Sequence, residues 1–384
     1  MAKSRLVIVA SFVASLAFAS SLTFLWNTEQ SLPDSISFGF VSNLPRAEMA
    51  TAMADFRQSG GSLQDVDLAL ADNAAKTDPF ADEVYTLNAA GFIASGNRAK
   101  ARSLLEQAIR RDPRSLEARA LLMQVSLDEG EISDAVKHIE VLWRFGPQRA
   151  ALLGILTSLA TVPETRSDTL LALSDDRIRA AVLVNLARRG ASASMLLNAN
   201  AELRWDARPN AQSFVSDLVT PLVKSEDFTG ARRLWLSFFS DSISQSDLIA
   251  DTRFSGSFPA PFGWAANGGQ QGFARLGKNG LVGQFYGRRS AVMARQLLVW
   301  DPGEYSIMID GKFGQEGLQV EVACSSGAYR KAASLRTGSR FVLNVVIPRH
   351  DCEAQYLSIA GVSNDPPSSV EFEIQQVKVE RSMP

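Results

Sequence analysis

Residues 82–115 read DEVYTLNAAGFIASGNRAKARSLLEQAIRRDPRS, and residues 116–149 read LEARALLMQVSLDEGEISDAVKHIEVLWRFGPQR. Each block is 34 residues long, and the two share a skeleton. Gly96 stands over Gly130, Ala101 over Ala135, Leu105 over Ile139 and Pro113 over Pro147. Pro79 extends the 34-residue period one step toward the N-terminus. A fixed period of this size is the signature of a stacked repeat, each unit too small to bury its own apolar face. Within 82–115, Tyr85, Ala89 and Phe92 fall at i, i+4 and i+7 and predict a first helix. Gly96 breaks it, and Asn97 can cap the next. Ala101, Leu105 and Ala108 form the matching stripe of a second helix. Pro113 stops it, because proline disfavours helical geometry in the residue before it.

Working outward, 48–81 keeps Ala71, Ala74 and Pro79 but has Asp67 where a small residue is expected. After Pro147 the pattern weakens. A last hairpin is expected over 212–240, from Val215, Val219 and Leu222 and then Ala231, Trp235 and Phe238, with Pro221 inside its first helix. Between them, 177–205 reads as further helix pairs without a signature. Helical patterning therefore covers about 46–245.

The positions in 82–147 resemble the tetratricopeptide repeat. That resemblance implies a solenoid of helix hairpins whose concave face binds other chains. On the first helices the face would carry Glu83, Thr86 and Ile93, with Ala90 between them, and then Glu117, Gln124 and Leu127. The lining is mixed and mildly acidic. It lacks a Lys/Asn clamp for a C-terminal carboxylate, so an envelope protein is the expected partner and not a chaperone tail.

From about 248 the composition changes. Glycines become frequent, and about ten strand candidates alternate with turns. They are Ile249–Phe254, Gly272–Leu276, Leu281–Tyr286, Met293–Trp300, Glu304–Ile309, Leu318–Ala323, Lys331–Leu335, Phe341–Ile347, Gln355–Ala360 and Val370–Val379. Many short strands at this spacing predict an antiparallel β-sandwich over 248–384. The order of Asp251-Thr252-Arg253-Phe254, then Phe262-Gly263-Trp264 and a long last strand resembles jelly-roll carbohydrate-binding modules. Residues 296–305 (QLLVWDPGEY) and 352–357 (CEAQYL) are similar to the C-terminal regions of tetratricopeptide proteins associated with bacterial exopolysaccharide production. The resemblance implies polysaccharide as a second partner. Sugar rings stack on open aromatic faces with polar groups nearby. Trp264 with Asn267 and Gln270 is the first candidate, followed by Tyr286 and Trp300, with Tyr329 and Tyr356 behind them. The competing reading puts each aromatic in the core.

The first residues bear on compartment. Lys3 and Arg5 precede Leu6–Trp26, 21 residues without a charge. That is the length a membrane-spanning helix needs, about 20 residues. Positive charge before it and Glu29 and Asp34 after it place the remainder outside the cytoplasm. Two outcomes stay open. The segment (1–27) is a signal-anchor in the inner membrane with the bulk in the periplasm, or a signal peptide cleaved after Ala17-Phe18-Ala19. A linker follows over 28–45.

Export sets the cysteine reading. Cys324 and Cys352 end predicted strands, and an oxidising compartment favours a disulfide between them. The adjacent His350-Asp351-Cys352 holds three nucleophilic-triad residue types, but strand neighbours point to opposite faces, and triads assemble from separated segments. With two histidines and two cysteines in 384 residues, neither a metal nor a cofactor is expected. A net charge of -2 supplies no field for nucleic acid. No catalytic residue is assigned: the carboxylate pairs read as caps and turns, and the asparagine-glycine-glycine run at 267–269 is not followed by a helix. The expected function is a non-catalytic envelope scaffold in exopolysaccharide biosynthesis or export. The alternatives are a purely structural protein-contact module and a polysaccharide lyase or hydrolase.

Overall fold

Gly96 and Gly130 end their helices in the same way. Both take a left-handed backbone, at φ +79° and +77°. The next residue then donates back to the last turn: Asn97 N–H to Phe92 O and Glu131 N–H to Ser126 O, each 2.8 Å. This satisfies carbonyls that a helix end leaves unpaired, at a position where a Cβ would be strained. In the computed structural model, which describes residues 82–203 and 211–382 apart from 241, 245, 314–316, 337 and 364, ten helices precede two antiparallel sheets. Leu6–Trp26, the linker and the partial repeat expected over 48–81 lie outside the described residues. No described helix is long and apolar enough to cross a membrane.

The chain divides into two compact units between Leu183 and Val184. The first carries α1 (Asp82–Ala94), α2 (Arg98–Arg111), α3 (Leu116–Glu129), α4 (Ile132–Phe145), α5 (Arg149–Thr161) and α6 (Pro163–Ala172). The division falls within α7 (Asp176–Arg188). Asn97 caps α2, its side chain accepting from Lys100 N–H at 3.2 Å. Ala89, Ala101, Ala108 and Ala118 are buried with Leu105, Leu122 and Val125 in one cluster. Small residues let the helix backbones approach while leucines fill the space, as the 34-residue register predicts. Before α7 a buried carboxylate from α4 holds the turn. Glu140 accepts from Ser174 N–H (2.6 Å), Ser174 hydroxyl (2.7 Å) and Asp175 N–H (2.9 Å), fixing the turn into α7.

The second unit opens with α8 (Ala193–Leu203), α9 (Ala211–Lys224) and α10 (Phe228–Leu236). Pro221 sits inside α9. It has no N–H to give the carbonyl of Asp217, yet the helix continues for three more residues. The expected hairpin over 212–240 is therefore present, and Asp227 caps its second helix by accepting from Gly230 N–H at 2.9 Å. This hairpin is fastened to the sandwich. Trp235 Nε1 donates to Pro259 O (3.1 Å), Arg232 Nη1 to Val299 O (3.1 Å) and Gln212 Nε2 to Ser257 O (3.0 Å). Trp235 also packs against the rings of Phe239, Phe258 and Phe262.

The strands are β1 (Ala265–Ala266), β2 (Gly268–Gly269), β3 (Gly272–Gly277), β4 (Gly280–Phe285), β5 (Ala291–Leu298), β6 (Gly303–Phe313), β7 (Leu318–Cys324), β8 (Arg330–Ser334), β9 (Gly338–Ile347), β10 (Gln355–Gly361) and β11 (Val370–Arg381). They form a five-stranded sheet, β1-β5-β10-β7-β8, and a six-stranded sheet, β2-β3-β4-β11-β6-β9. Most successive strands change sheet, so both sheets supply one core. Val320, Val322, Leu357 and Ile359 come from the first, and Phe285, Tyr305, Ile307, Leu343 and Phe372 from the second. Gly361 is forced: a Cβ there would lie 2.3 Å from the Phe285 ring. One expected strand is absent. Over 249–254 the Asp251 carboxylate accepts from Ser255 N–H (2.9 Å) and Gly256 N–H (3.0 Å), and Phe254 has φ 55°, so the segment turns.

Candidate functional site

The helical face is built on α1 and α3. Positions 83, 86, 90 and 93, and 117, 120, 124 and 127, follow helical spacing and share a side of each helix. Glu83, Ile93, Glu117, Gln124 and Leu127 are half-buried and can touch a partner. Thr86 cannot. It is fully buried, and its hydroxyl donates to Asp82 O at 3.0 Å, so burial removes it from the expected lining. The acidic start of α1 is electrostatically unusual. Burial, and after it the neighbouring Glu83 carboxylate, push Asp82 up to about 6.

The tryptophans of the sandwich are core residues. Trp264 is 3% exposed, donates from Nε1 to Asp251 O at 2.9 Å and leans on the Phe254 ring. Trp300 is 3% exposed, donates to Leu248 O at 2.8 Å and stacks on Tyr305. A sugar platform needs an open ring face, and neither indole offers one. This corrects the expected set of Trp264, Asn267, Gln270, Tyr286 and Trp300. Asn267 is exposed but serves as a clasp. It donates from N–H to Met293 O (2.8 Å) and from Nδ2 to Val292 O (3.0 Å), and accepts from Ala274 N–H (2.9 Å), tying β5 to β3. Tyr329 and Tyr356 are half-buried.

Two candidates lie on neighbouring turns. Tyr286 is 38% exposed, and Gln270 is exposed on the turn between β2 and β3. The link is Gln271, which sequence reasoning passed over. Its carbonyl accepts from Tyr286 N–H (2.9 Å), and its side chain accepts from Arg289 N–H (3.1 Å). The loop after β4, with exposed Arg288 and Arg289, is thus held beside the β2–β3 turn. A second feature missed by sequence is a groove of about 670 Å³ in the second unit. Arg188, Ser192, Asp217, Pro221, Lys224 and Asp227 are among its lining. The proline inside a helical pattern was its one sequence signal.

Cys324 and Cys352 form the expected disulfide, both buried, with Cα atoms 5.1 Å apart. Cys352 therefore has no free thiol, while His350 and Asp351 are exposed. Gln355 secures the bridge, donating to Cys352 O (2.8 Å) and accepting from Trp300 N–H (3.0 Å). Among the described residues no group of three or more His, Cys, Asp or Glu could hold a metal ion.

Residues 92–159 match the tetratricopeptide repeat. The match spans the second half of the first described hairpin, the whole of the next, and α5 up to Leu159, so the resemblance read at 82–147 holds there. No curated protein matches the chain. Solved structures similar to it include TmCBM61 in complex with β-1,4-galactotriose, at 10% identity and a TM-score of 0.27, covering 36% of this chain and 100% of that one. A CBM4 structure is 12% identical with a TM-score of 0.24, over 31% of this chain and 86% of that one. Pseudomonas aeruginosa PilF is 14% identical with a TM-score of 0.25, over 53% and 78%. Scores this low make these loose likenesses and no more.

Proposed function

We propose that this protein is a non-catalytic envelope scaffold, held at the inner membrane by Leu6–Trp26 with its bulk in the periplasm. The α1/α3 face takes a protein partner, and the sandwich, read as a jelly roll, contacts polysaccharide or another component of an exopolysaccharide assembly. The observation that carries the first half is the tetratricopeptide match over 92–159, built on hairpins with a half-exposed face on α1 and α3. The disulfide supports export, since such bonds persist in oxidising compartments. For glycan, support has narrowed to Tyr286 with Gln270 and the Arg288-Arg289 loop.

The burial of Trp264 and Trp300 favours a second reading, in which the sandwich makes protein contacts alone. A glycan array probed with the full chain and with Tyr286→Ala separates the two. Binding lost in the variant supports a sugar site, and no binding by either leaves the protein-contact reading. A C-terminal alkaline phosphatase fusion tests export: activity is expected, and an inactive, cytoplasmic fusion would remove the envelope assignment.

A further inference from the structure

An unpaired strand edge offers N–H and C=O groups to any passing strand, and proteins ordinarily cover it. Most edges of this sandwich are covered. Along β5, Leu297 N–H donates to Pro261 O (2.8 Å) and Met293 O accepts from Asn267 N–H (2.8 Å). Along β3, Ala274 N–H donates to Asn267 O (2.9 Å) and Gly277 N–H to Phe254 O (3.0 Å). The edge strand β8 is short, at five residues, and carries Arg330 and Lys331. The exception is β9. It is ten residues long and outermost in its sheet, with β6 on one side and no strand on the other among the described residues. Val342 and Val346 are 49% and 53% exposed on it. Its one charge is paired inward, since Arg340 meets Asp310, its opposite number on β6, at 2.7 Å.

The outward groups can be assigned. Val346 N–H points away from β6 and donates to Tyr329 Oη at 3.3 Å. Backbone direction alternates along an antiparallel strand, so Asn344 and Val342 also turn their N–H and C=O outward. The segment 341–347 reads Phe-Val-Leu-Asn-Val-Val-Ile, apolar at every position but the central Asn344, and so alike in both directions.

We propose that β9 pairs antiparallel with β9 of a second copy of this chain, about a two-fold axis at Asn344, joining the two six-stranded sheets into one. In that register Asn344 lies opposite Asn344 of the second copy. Val342 lies opposite its Val346, Leu343 opposite its Val345 and Phe341 opposite its Ile347. Arg340 meets Pro348, so no like charges oppose one another. A two-fold contact requires each surface to complement itself, and the two-way pattern around Asn344 supplies that; a partner of different sequence would place no such demand. Tyr329 holds the Val346 N–H until the second strand takes it.

Sedimentation of the full chain in detergent, together with cross-linking of cysteine variants, tests this. Wild type is expected to dimerise. Asn344→Pro removes one outward N–H and no bond to β6, and is expected to weaken association by roughly ten-fold or more with unchanged circular dichroism. Asn344→Cys is expected to cross-link to itself with a short bismaleimide. A mixture of Val342→Cys and Val346→Cys chains should cross-link while Lys331→Cys, on the β8 edge, does not. A wild-type monomer at all concentrations, or Asn344→Cys cross-linking no faster than Lys331→Cys, would overturn the proposal. Should Asn344→Pro misfold, the cysteine comparison decides alone.

Discussion

Glu226 holds the left-handed position, at φ 65°, that glycine takes at 96, 130 and 190. The hydrogen bond that follows is the same, Asp227 N–H to Leu222 O at 3.0 Å. A side chain in this state is strained, so Glu226→Gly should stabilise the second unit by about 1 kcal/mol and Gly130→Ala should destabilise the first by a similar amount. Nothing lies within 4 Å of a Cβ at Gly130, so its cost is that of the backbone alone. Urea titration of both variants checks the pair. His138 gives a pH signature. Burial, and then the Arg119 charge, lower it to about 4; Arg102 and Lys137 add to this, and the Asp134 carboxylate opposes it. Between pH 6.5 and about 4 the unfolded chain binds a proton at His138 that the folded chain refuses, so stability falls as pH falls through that window. Asp82, raised to about 6, has the opposite sign and loses stability as pH rises from 3.8 toward 6. His138→Gln should therefore flatten the acid side by about 1–2 kcal/mol after solvent screening, and Asp82→Asn should steepen it. Thermal unfolding from pH 4 to 7 reads both.

At the scale of elements, the disulfide closes β7 onto the start of β10, across a sequence separation of 28. In the chain-entropy model a loop of this length contributes about 3–4 kcal/mol, so the double variant Cys324→Ser, Cys352→Ser should lose about that much in denaturant titration. This scale also shows what could be read from sequence. The hairpins at 82–145 were legible because their glycines, prolines and alanines repeat in register. Most strands were legible because period-two alternation and glycine turns are local signals. The burial of Trp264 and Trp300 was legible only as the competing core reading, because both indoles bind carbonyls of 248–251, a stretch whose alternation reads as a strand but which folds as a turn. Thr86 fell on the expected face by spacing, but spacing does not say what lies over it. The link made by Gln271 and the edge position of β9 were illegible for a related reason: which loops meet, and which strand ends up outermost, depend on strand order.

At the scale of the whole molecule, a net charge of -2 leaves recognition to shaped surfaces and not to a long-range field. The helical repeats contribute a half-exposed face, and the sandwich contributes a cross-linked core with an open edge at β9 among the described residues. The most direct measurement is in-cell photocrosslinking from the α1/α3 face. A photoreactive residue at Ile93, Gln124 or Leu127 should capture the same discrete envelope protein, while the exposed Glu106 and Lys137 on α2 and α4 should not. No adduct from the first three, or equal capture from all five, would contradict the scaffold account.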